Sequence, residues 1–472
     1  MMMPFQPTLL ITDALFFVLT AVIIIFVLMA RKREHLRRPW EKVIKRTTGA
    51  VSLVVLVCYY SIALLDSMHF RPKLENTKQS EYQYSNEILS VLDVLMTPMR
   101  TQVEKTFSAP LATQLFSKEM VQQEDGSMKQ IYPRLKYAGA HLDDPSTQRS
   151  SDLLDISIKA TIVALLCWAG FSLLMIWRSS KAHSTQFSSS FQGFITGNSE
   201  YPLRAIAVTT GLLTIIISVS MFMGSKYHLF GTDKVGQDVF YQAIKSIRTG
   251  ILIGALTTLV MLPVAVTLGA MAGFFRGWVD DVIQYIYTTL NSIPHVLLIA
   301  ASVLLLQVYM GNNAESFDSL TERADLRLLF LCLILGITSW TGLCRLLRAE
   351  TFKLREMEYI QAATAFGVTK TNILTKHIMP NFMHIVLITV VLDFSGLVLA
   401  EAVLSYINIG VDPATNSWGN MINQARLEMA RDPAVWWSLS AAFIFMFTLV
   451  LFANLFADVV RDALDPRISG AE

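Results

Sequence analysis

Nine stretches of this chain are long and apolar enough to cross a bilayer, and that leaves few folds open. A membrane's hydrocarbon core takes about 20 mostly apolar residues in helical form. Such runs lie at roughly 9–30, 48–66, 153–177, 203–223, 249–273, 283–309, 326–347, 382–407 and 435–457. Lipid offers no partner to a backbone N–H or C=O, so each run is expected to be a helix. Composition agrees: of 472 residues, 53% are hydrophobic and only 16% charged, where an average soluble domain carries about 25% charged residues. The expected class is an all-α polytopic membrane protein. A net charge of +2 gives no reason to expect a nucleic-acid partner. Cys58, Cys167, Cys332 and Cys344 all lie inside apolar runs, which points to buried thiols rather than to disulfides or a metal site.

Charge orients the chain. The segment 31–46 holds eight Lys/Arg against two Glu, and short basic loops stay cytoplasmic. Counting spans from there places the N-terminus outside and the C-terminus inside. The 345–381 segment, with six Lys/Arg and three Glu, then lies inside, and 310–327, with four acids and two Arg, lies outside. The acidic 274–282 turn and the basic 224–248 segment run against this scheme. The first run is not expected to be a cleavable signal peptide, because its charges follow the apolar stretch. Residues 67–152 become one long external insertion. Within it Ile88, Leu92, Leu95 and Met99 recur at helical spacing, with Pro98 placed to bend or end the helix.

One cytoplasmic stretch lacks any obvious chemistry: "YIQAATAFGVTKTNILTKHIMPN", 359–381. Residues 355–366 lack Gly and Pro and predict a helix. Gly367 suits the left-handed position past its end. Thr369 can cap a second helix through its hydroxyl, and Pro380 fits the first turn of the next span. Ala362 and Ala363 give a smooth patch that another surface can approach. The expected product is a rigid knuckle joined to two spans.

That stretch resembles the EAA loop of ATP-driven (ABC) importer permeases: Ala362, Ala363, Gly367, Ile378 and Pro380 fall on the pattern, with Gln361 in place of the usual Glu. Further blocks resemble the dipeptide, oligopeptide and nickel branch of that family. They are "FGTDKVGQDVF" (230–240, Gln237 for the usual Arg), "LNSIPHVLL" (290–298), "GITSWTGLCRLLRAE" (336–350), "LAEAVLSYINIGVDPATNSWGNMINQAR" (399–426) and "RDALDPR" (461–467). The resemblance covers about 203–467. It implies a six-helix type I importer core preceded by three extra spans: 1–66 with two helices and a basic loop, the insertion 67–152, and 153–202 with the third helix. It implies a homologous second permease, two cytoplasmic ATPase subunits, an external solute-binding protein, lipid surroundings and a bacterial inner-membrane location. The 350–381 loop would couple to the ATPases through Gln361, Ala362, Ala363, Gly367, Thr369, Ile378 and Pro380. ATP and Mg would be held by those partners. No GxxxxGK[ST], HExxH or GxSxG occurs in the chain, so no catalytic residue, cofactor or metal is expected in it.

Polar residues in and beside the spans are the remaining candidates. Ionisable groups inside a membrane are costly and face partners or water. Asp393 suits either the pathway or a bond to a neighbouring helix. Glu401, on the Ala-Glu-Ala of the family pattern, suits either holding the outer loop or gate or binding solute. Pro294 breaks a span, and His295 suits either the gate or an interhelical bond. Asp233, Asp238 and Trp418 are candidates to contact the binding protein; the plainer roles are helix capping by Asp233, a solvated or locally bonded Asp238, and interfacial anchoring by Trp418 together with Trp278, Trp340, Trp436 and Trp437. Two rival readings use Asp393 and Glu401 as a proton relay or as an acid pair; two turns of helix separate them by about 12 Å, too far to share a proton. A nickel or other chelate remains an alternative cargo to peptide.

Overall fold

The protein is described here from a computed structural model, which defines residues 5–73, 84–122, 128–182, 187–197, 201–313 and 319–464. The N-terminal part runs β1 (Phe5–Pro7), α1 (Ile11–Lys32), α2 (Glu34–Lys45), α3 (Thr47–Asp66), β2 (His69–Pro72), β3 (Leu89–Ser90), α4 (Val91–Leu95), α5 (Thr97–Thr101), β4 (Glu119–Gln122), β5 (Met128–Ile131), α6 (Pro145–Ala182) and α7 (Phe187–Thr196). There follow α8 (Leu203–Gly224), α9 (Val239–Phe275), α10 (Trp278–Ser292), α11 (His295–Asn312), α12 (Leu320–Ser339) and α13 (Thr341–Arg355). The chain closes with α14 (Glu358–Ala365), α15 (Lys370–Asn372), a π-helical turn (Ile373–Ile378), α16 (Met379–Tyr406), α17 (Trp418–Glu428) and α18 (Trp437–Leu464). Among the described residues nine helical segments are long and apolar enough to span a membrane. The polytopic helical class therefore stands. The sixth expected span is shorter than its apolar run: Pro294, which carries no N–H to continue a helix, divides 283–309 between α10 and α11.

Two compact units account for the chain. The first comprises 1–8, 40–249 and 416–455; the second comprises 9–39, 250–415 and 456–472. In the first, α6 and α3 pack on α8. Trp168 of α6 donates its indole N–H to the Ala207 carbonyl at 2.6 Å and lies over Gly211, where any Cβ would meet the indole at 2.8 Å. Small residues allow this approach, and van der Waals packing then holds helices together in lipid. Cys167 beside it is exposed, contrary to the expected burial, while Cys332 and Cys344 are buried.

The insertion belongs to the first unit, and the helical stretch expected within it is interrupted beside Pro98. Pro98 sits in the first turn of α5 and the helix breaks at Met96, leaving two short pieces. Ser90 and Asp93 form a reciprocal capping box at the start of α4. Leu92, Met96 and Met99 turn inward, whereas Leu95 is exposed. Around them lie a small antiparallel sheet in the order β1-β2-β3 and a β4–β5 hairpin, so β-structure is added to an otherwise helical chain.

In the second unit a continuous apolar core joins the end of α9, α10, α13, the 358–378 segment and the start of α16. Ala270, Tyr287, Leu347, Ile360, Ile378 and Phe382 are among its buried members. Gly269 and Gly273 let α13 lie against α9. A Cβ on Gly273 would sit 2.5 Å from Thr351 Cβ and 2.7 Å from the Arg348 carbonyl. At the other end of this unit α1 packs on α12. The Thr12 amide donates to Asp325 Oδ2 at 3.1 Å, and the Thr12 hydroxyl donates to its other oxygen. A carboxylate of one helix thus satisfies the amide end of another, where its charge also meets a favourable dipole.

Candidate functional site

The knuckle forms as its residues dictate, with one difference. Glu358–Ala365 is helical; Gly367 follows at φ +76°, with the Val368 amide donating back to the Ala363 carbonyl at 3.1 Å. Ile360, Ile373 and Ile378 bury into the apolar core, so the outer face is rigidly carried. Gln361 and Ala362 are exposed on that face and Ala363 is half-buried. Pro380 opens α16, as expected. Thr369 stands before α15, but its hydroxyl does not cap it; the hydroxyl lies 3.5 Å from that of Thr371 instead. Phe366, at 88% exposure, is the most prominent apolar group of the knuckle and was not singled out from sequence. Its position before a left-handed glycine is the signal that could have found it. Beside it a cleft of about 640 Å³ runs between Phe275, Arg355, Gln361, Thr364 and Lys370.

The 230–238 segment is organised from within. Asp233 Oδ1 accepts from the amides of Val235 and Gln237, and its Oδ2 accepts from Gln242. The helix cap is Asp238, not Asp233: its Oδ1 accepts from the Tyr241 amide at the start of α9, and its Oδ2 lies 2.7 Å from His228 Nδ1. Asp238 is 1% exposed and Trp418 is 1% exposed, its indole donating to the Ala243 carbonyl at 3.0 Å. Neither presents itself to a docking protein, and of that trio only Asp233 is partly open. Trp340 and Trp437 are buried as well, so interfacial anchoring fits only exposed Trp278 and Trp436 among the five tryptophans.

The insertion is what buries this segment. Gly231 (φ +66°) lies under the Ser108 carbonyl and Gly236 (φ +78°) under Glu104, where a Cβ would come within 2.2 Å and 1.9 Å of backbone oxygen. Thr232 exchanges bonds with Ser108 and Thr106, and Trp437 donates to the Thr232 carbonyl. At the centre stands His228, with Asp238 on one ring nitrogen and Glu104 3.7 Å from the other. Glu104 in turn accepts from the amides of Lys136, Tyr137 and Ala138. Burial opposes the imidazolium, but the Asp238 bond and the facing Glu104 outweigh it and lift His228 to about 9. Burial likewise opposes the Glu104 charge, and His228 with the three amides overcomes it, holding Glu104 down at about 2.

A pH dependence follows. A raised His228 stabilises the fold fully below the ordinary histidine value of about 6.5, and that contribution is lost as pH rises through about 9. A lowered Glu104 stabilises above its ordinary value of about 4.5 and fails only toward pH 2. Thermal unfolding of the purified protein should therefore be flat from about pH 5 to 6.5 and fall progressively toward pH 9 and beyond. A midpoint that rises between pH 7 and 9 would contradict a charged His228.

Within the spans, Glu401 is 1% exposed and accepts from Ser405, whose hydroxyl also takes the Val411 amide. It anchors the loop after α16, which Arg327 grips through the Gly410 carbonyl. Asp393 is half-buried, and His295 and Pro294 are exposed on the chain's surface. Neither Asp393 nor His295 has the interhelical bond expected as its plainer role, among the described residues. Asp393 and Glu401 thus sit in unlike surroundings and form no pair.

Among the described residues, nine helical segments long and apolar enough to cross a membrane, with an exposed knuckle seated on an apolar core, define a multi-pass membrane protein. The family model of the binding-protein-dependent transport system inner membrane component matches residues 265–470. The chain is 31% identical over 242 residues to the oligopeptide transport system permease protein OppC of Haemophilus influenzae, covering 51% of this chain and 71% of that one. It is 30% identical to the glutathione transport system permease protein GsiD of Pectobacterium atrosepticum, over 52% of this chain and 74% of that one. A chain of the MetNI methionine ABC transporter, in an inward-facing form, superposes with a TM-score of 0.34 at 15% identity over 47% of this chain and 93% of that one. The chain belongs to the family of binding-protein-dependent inner-membrane transport components. It is an ABC importer permease subunit with an N-terminal extension.

Proposed function

We propose that this subunit forms half of the translocation pathway of an ATP-driven peptide importer. The observation that carries the reading is the knuckle: an exposed helix–glycine–helix whose buried side is welded to α9, α13 and α16. A partner ATPase pressing on its outer face would move those helices together. The hydrolysing subunits, with their ATP and Mg, act in trans at this loop, a homologous permease completes the pathway, and an external solute-binding protein delivers cargo. The basic α2 region and the knuckle then face the cytoplasm, with the N-terminus outside and the C-terminus inside. The core runs from 203 to 467, preceded by the extension with its external insertion 67–152. Relatives named for oligopeptide, dipeptide and glutathione transport favour peptide over a nickel or metal chelate. The unlike settings of Asp393 and Glu401 speak against a proton relay.

The test is Gly367→Val in the complex reconstituted with its ATPases and binding protein. Among the described residues no neighbour lies within 4 Å of a Cβ there, so only the backbone resists, by about 1–2 kcal/mol for a side chain in the left-handed region. Assembly should survive while peptide uptake per ATP hydrolysed falls. Uptake at the normal ratio would defeat the coupling role.

A further inference from the structure

The knuckle's motion needs a route to the break at Ile293–Pro294. Helix α13 leads straight into the knuckle, and α10 lies antiparallel beside it, tied at three heights. Arg348 grips Asp280 with two parallel bonds, Nε to Oδ1 at 2.5 Å and Nη2 to Oδ2 at 2.7 Å. The Arg345 guanidinium lies 5.8 Å from the centre of the Tyr287 ring. The Thr341 hydroxyl donates to Asn291 Oδ1 at 3.0 Å, just before the break. Asp280 is 8% exposed and Arg348 also stacks on Phe352, 4.6 Å away. On its other side α10 is bare, with Trp278 and Tyr285 more than 70% exposed. A two-point, mostly buried guanidinium–carboxylate pair fixes orientation as well as distance. Of the three ties it is the one that holds the end of α10 farthest from the break.

We propose that Arg348 and Asp280 are positioning residues that make α10 a strut, carrying the swing of α13 to the exposed break at Pro294. The proposal rests on the importer reading above and assigns the coupling path inside this subunit. Arg276, which bonds Glu356 at 2.6 Å on the exposed surface, is a weaker parallel tie, since exposed pairs contribute little.

The test places a single cysteine, Ile293→Cys, at the break in a background where the four native cysteines are replaced, and measures its maleimide labelling in the assembled complex with and without ATP. The parent should show a nucleotide-dependent change in rate. Arg348→Lys and Asp280→Asn should assemble yet show a change smaller by roughly tenfold, within the range of site-to-site couplings. The exchange Arg348→Asp with Asp280→Arg should recover more of it than either single variant. A full response in Arg348→Lys or Asp280→Asn, or no recovery in the exchange, overturns the strut. Loss of assembly in Arg348→Lys, which keeps the charge and most of the reach, would also overturn it by making the pair a folding element. A parent complex with no nucleotide response would instead defeat the importer reading itself.

Discussion

Replacing Gly273 with valine should leave little folded protein to recover. The added Cβ would stand 2.7 Å from the Arg348 carbonyl and 2.5 Å from Thr351 Cβ, and a backbone oxygen cannot rotate away as a side chain can. Relief requires α13 to move off α9. Gly269, one turn earlier, is equally close to the Cys344 carbonyl at 2.8 Å, so the two helices would part along a whole turn. Overpacking in a filled core costs about 1–3 kcal/mol, sometimes more, and the total stability of a fold is only about 5–15 kcal/mol. The same shift would loosen the apolar core under the knuckle. We expect a large drop in monodisperse protein from detergent extracts and a lowered unfolding temperature for what remains. A Gly273→Val protein that elutes and melts like the parent would mean that α9 and α13 are not in this close register.

The second large effect is expected in the other compact unit. Glu104→Ala removes one wall of the pocket around His228. It strips the acceptor from the amides of Lys136, Tyr137 and Ala138 and leaves a buried imidazolium with Asp238 alone. Breaking a buried ion pair by deleting one partner costs about 3–5 kcal/mol, because the survivor stays buried. The insertion should then become open to proteolysis under conditions where the parent resists. Glu104→Gln keeps an acceptor oxygen for the amides but loses the charge, and should fall between the two. Equal protease resistance of Glu104→Ala and the parent would show that the triad does not hold the insertion down. The unfolding profile should also decline from a lower pH than in the parent, since Asp238 alone would then keep His228 charged.

How much of this was open to sequence reasoning depended on which force set each feature. The spans were legible because lipid imposes a length and an apolar run that nothing else mimics, and eight of the nine carry a helix over most of their expected range. The break in the sixth run was visible as Pro294. The knuckle was legible because Gly367 and Pro380 act through local backbone rules. Thr369 misled because a capping hydroxyl has rival partners, and here Thr371 lies closest. The cap was misassigned to Asp233 for a related reason: Asp233 and Asp238, five residues apart, can both cap, and only the fold decides that Asp238, locally bonded as expected, stands at the helix start facing His228. Trp418 and Trp437 look like interfacial residues in any hydropathy plot. What buries them is contact with distant backbone carbonyls, of Ala243 and Thr232, which no local pattern encodes. The spacing of Gly269 and Gly273 was present in the sequence as a small-xxx-small signal, but an apolar run offers many such spacings and only the neighbouring helix makes one matter.

The roof over Gly231 and Gly236 has a practical consequence for anyone wishing to shorten this protein. Segment 104–108 supplies the carbonyls above both glycines and the carboxylate opposite His228. A chain trimmed to begin at residue 203 would not be a minimal transporter. It would expose a wet crater in which a cationic ring and two kinked glycines lack their ceiling. The extra residues are masonry rather than ornament, and any swap of this subunit into a sister machine has to bring them along.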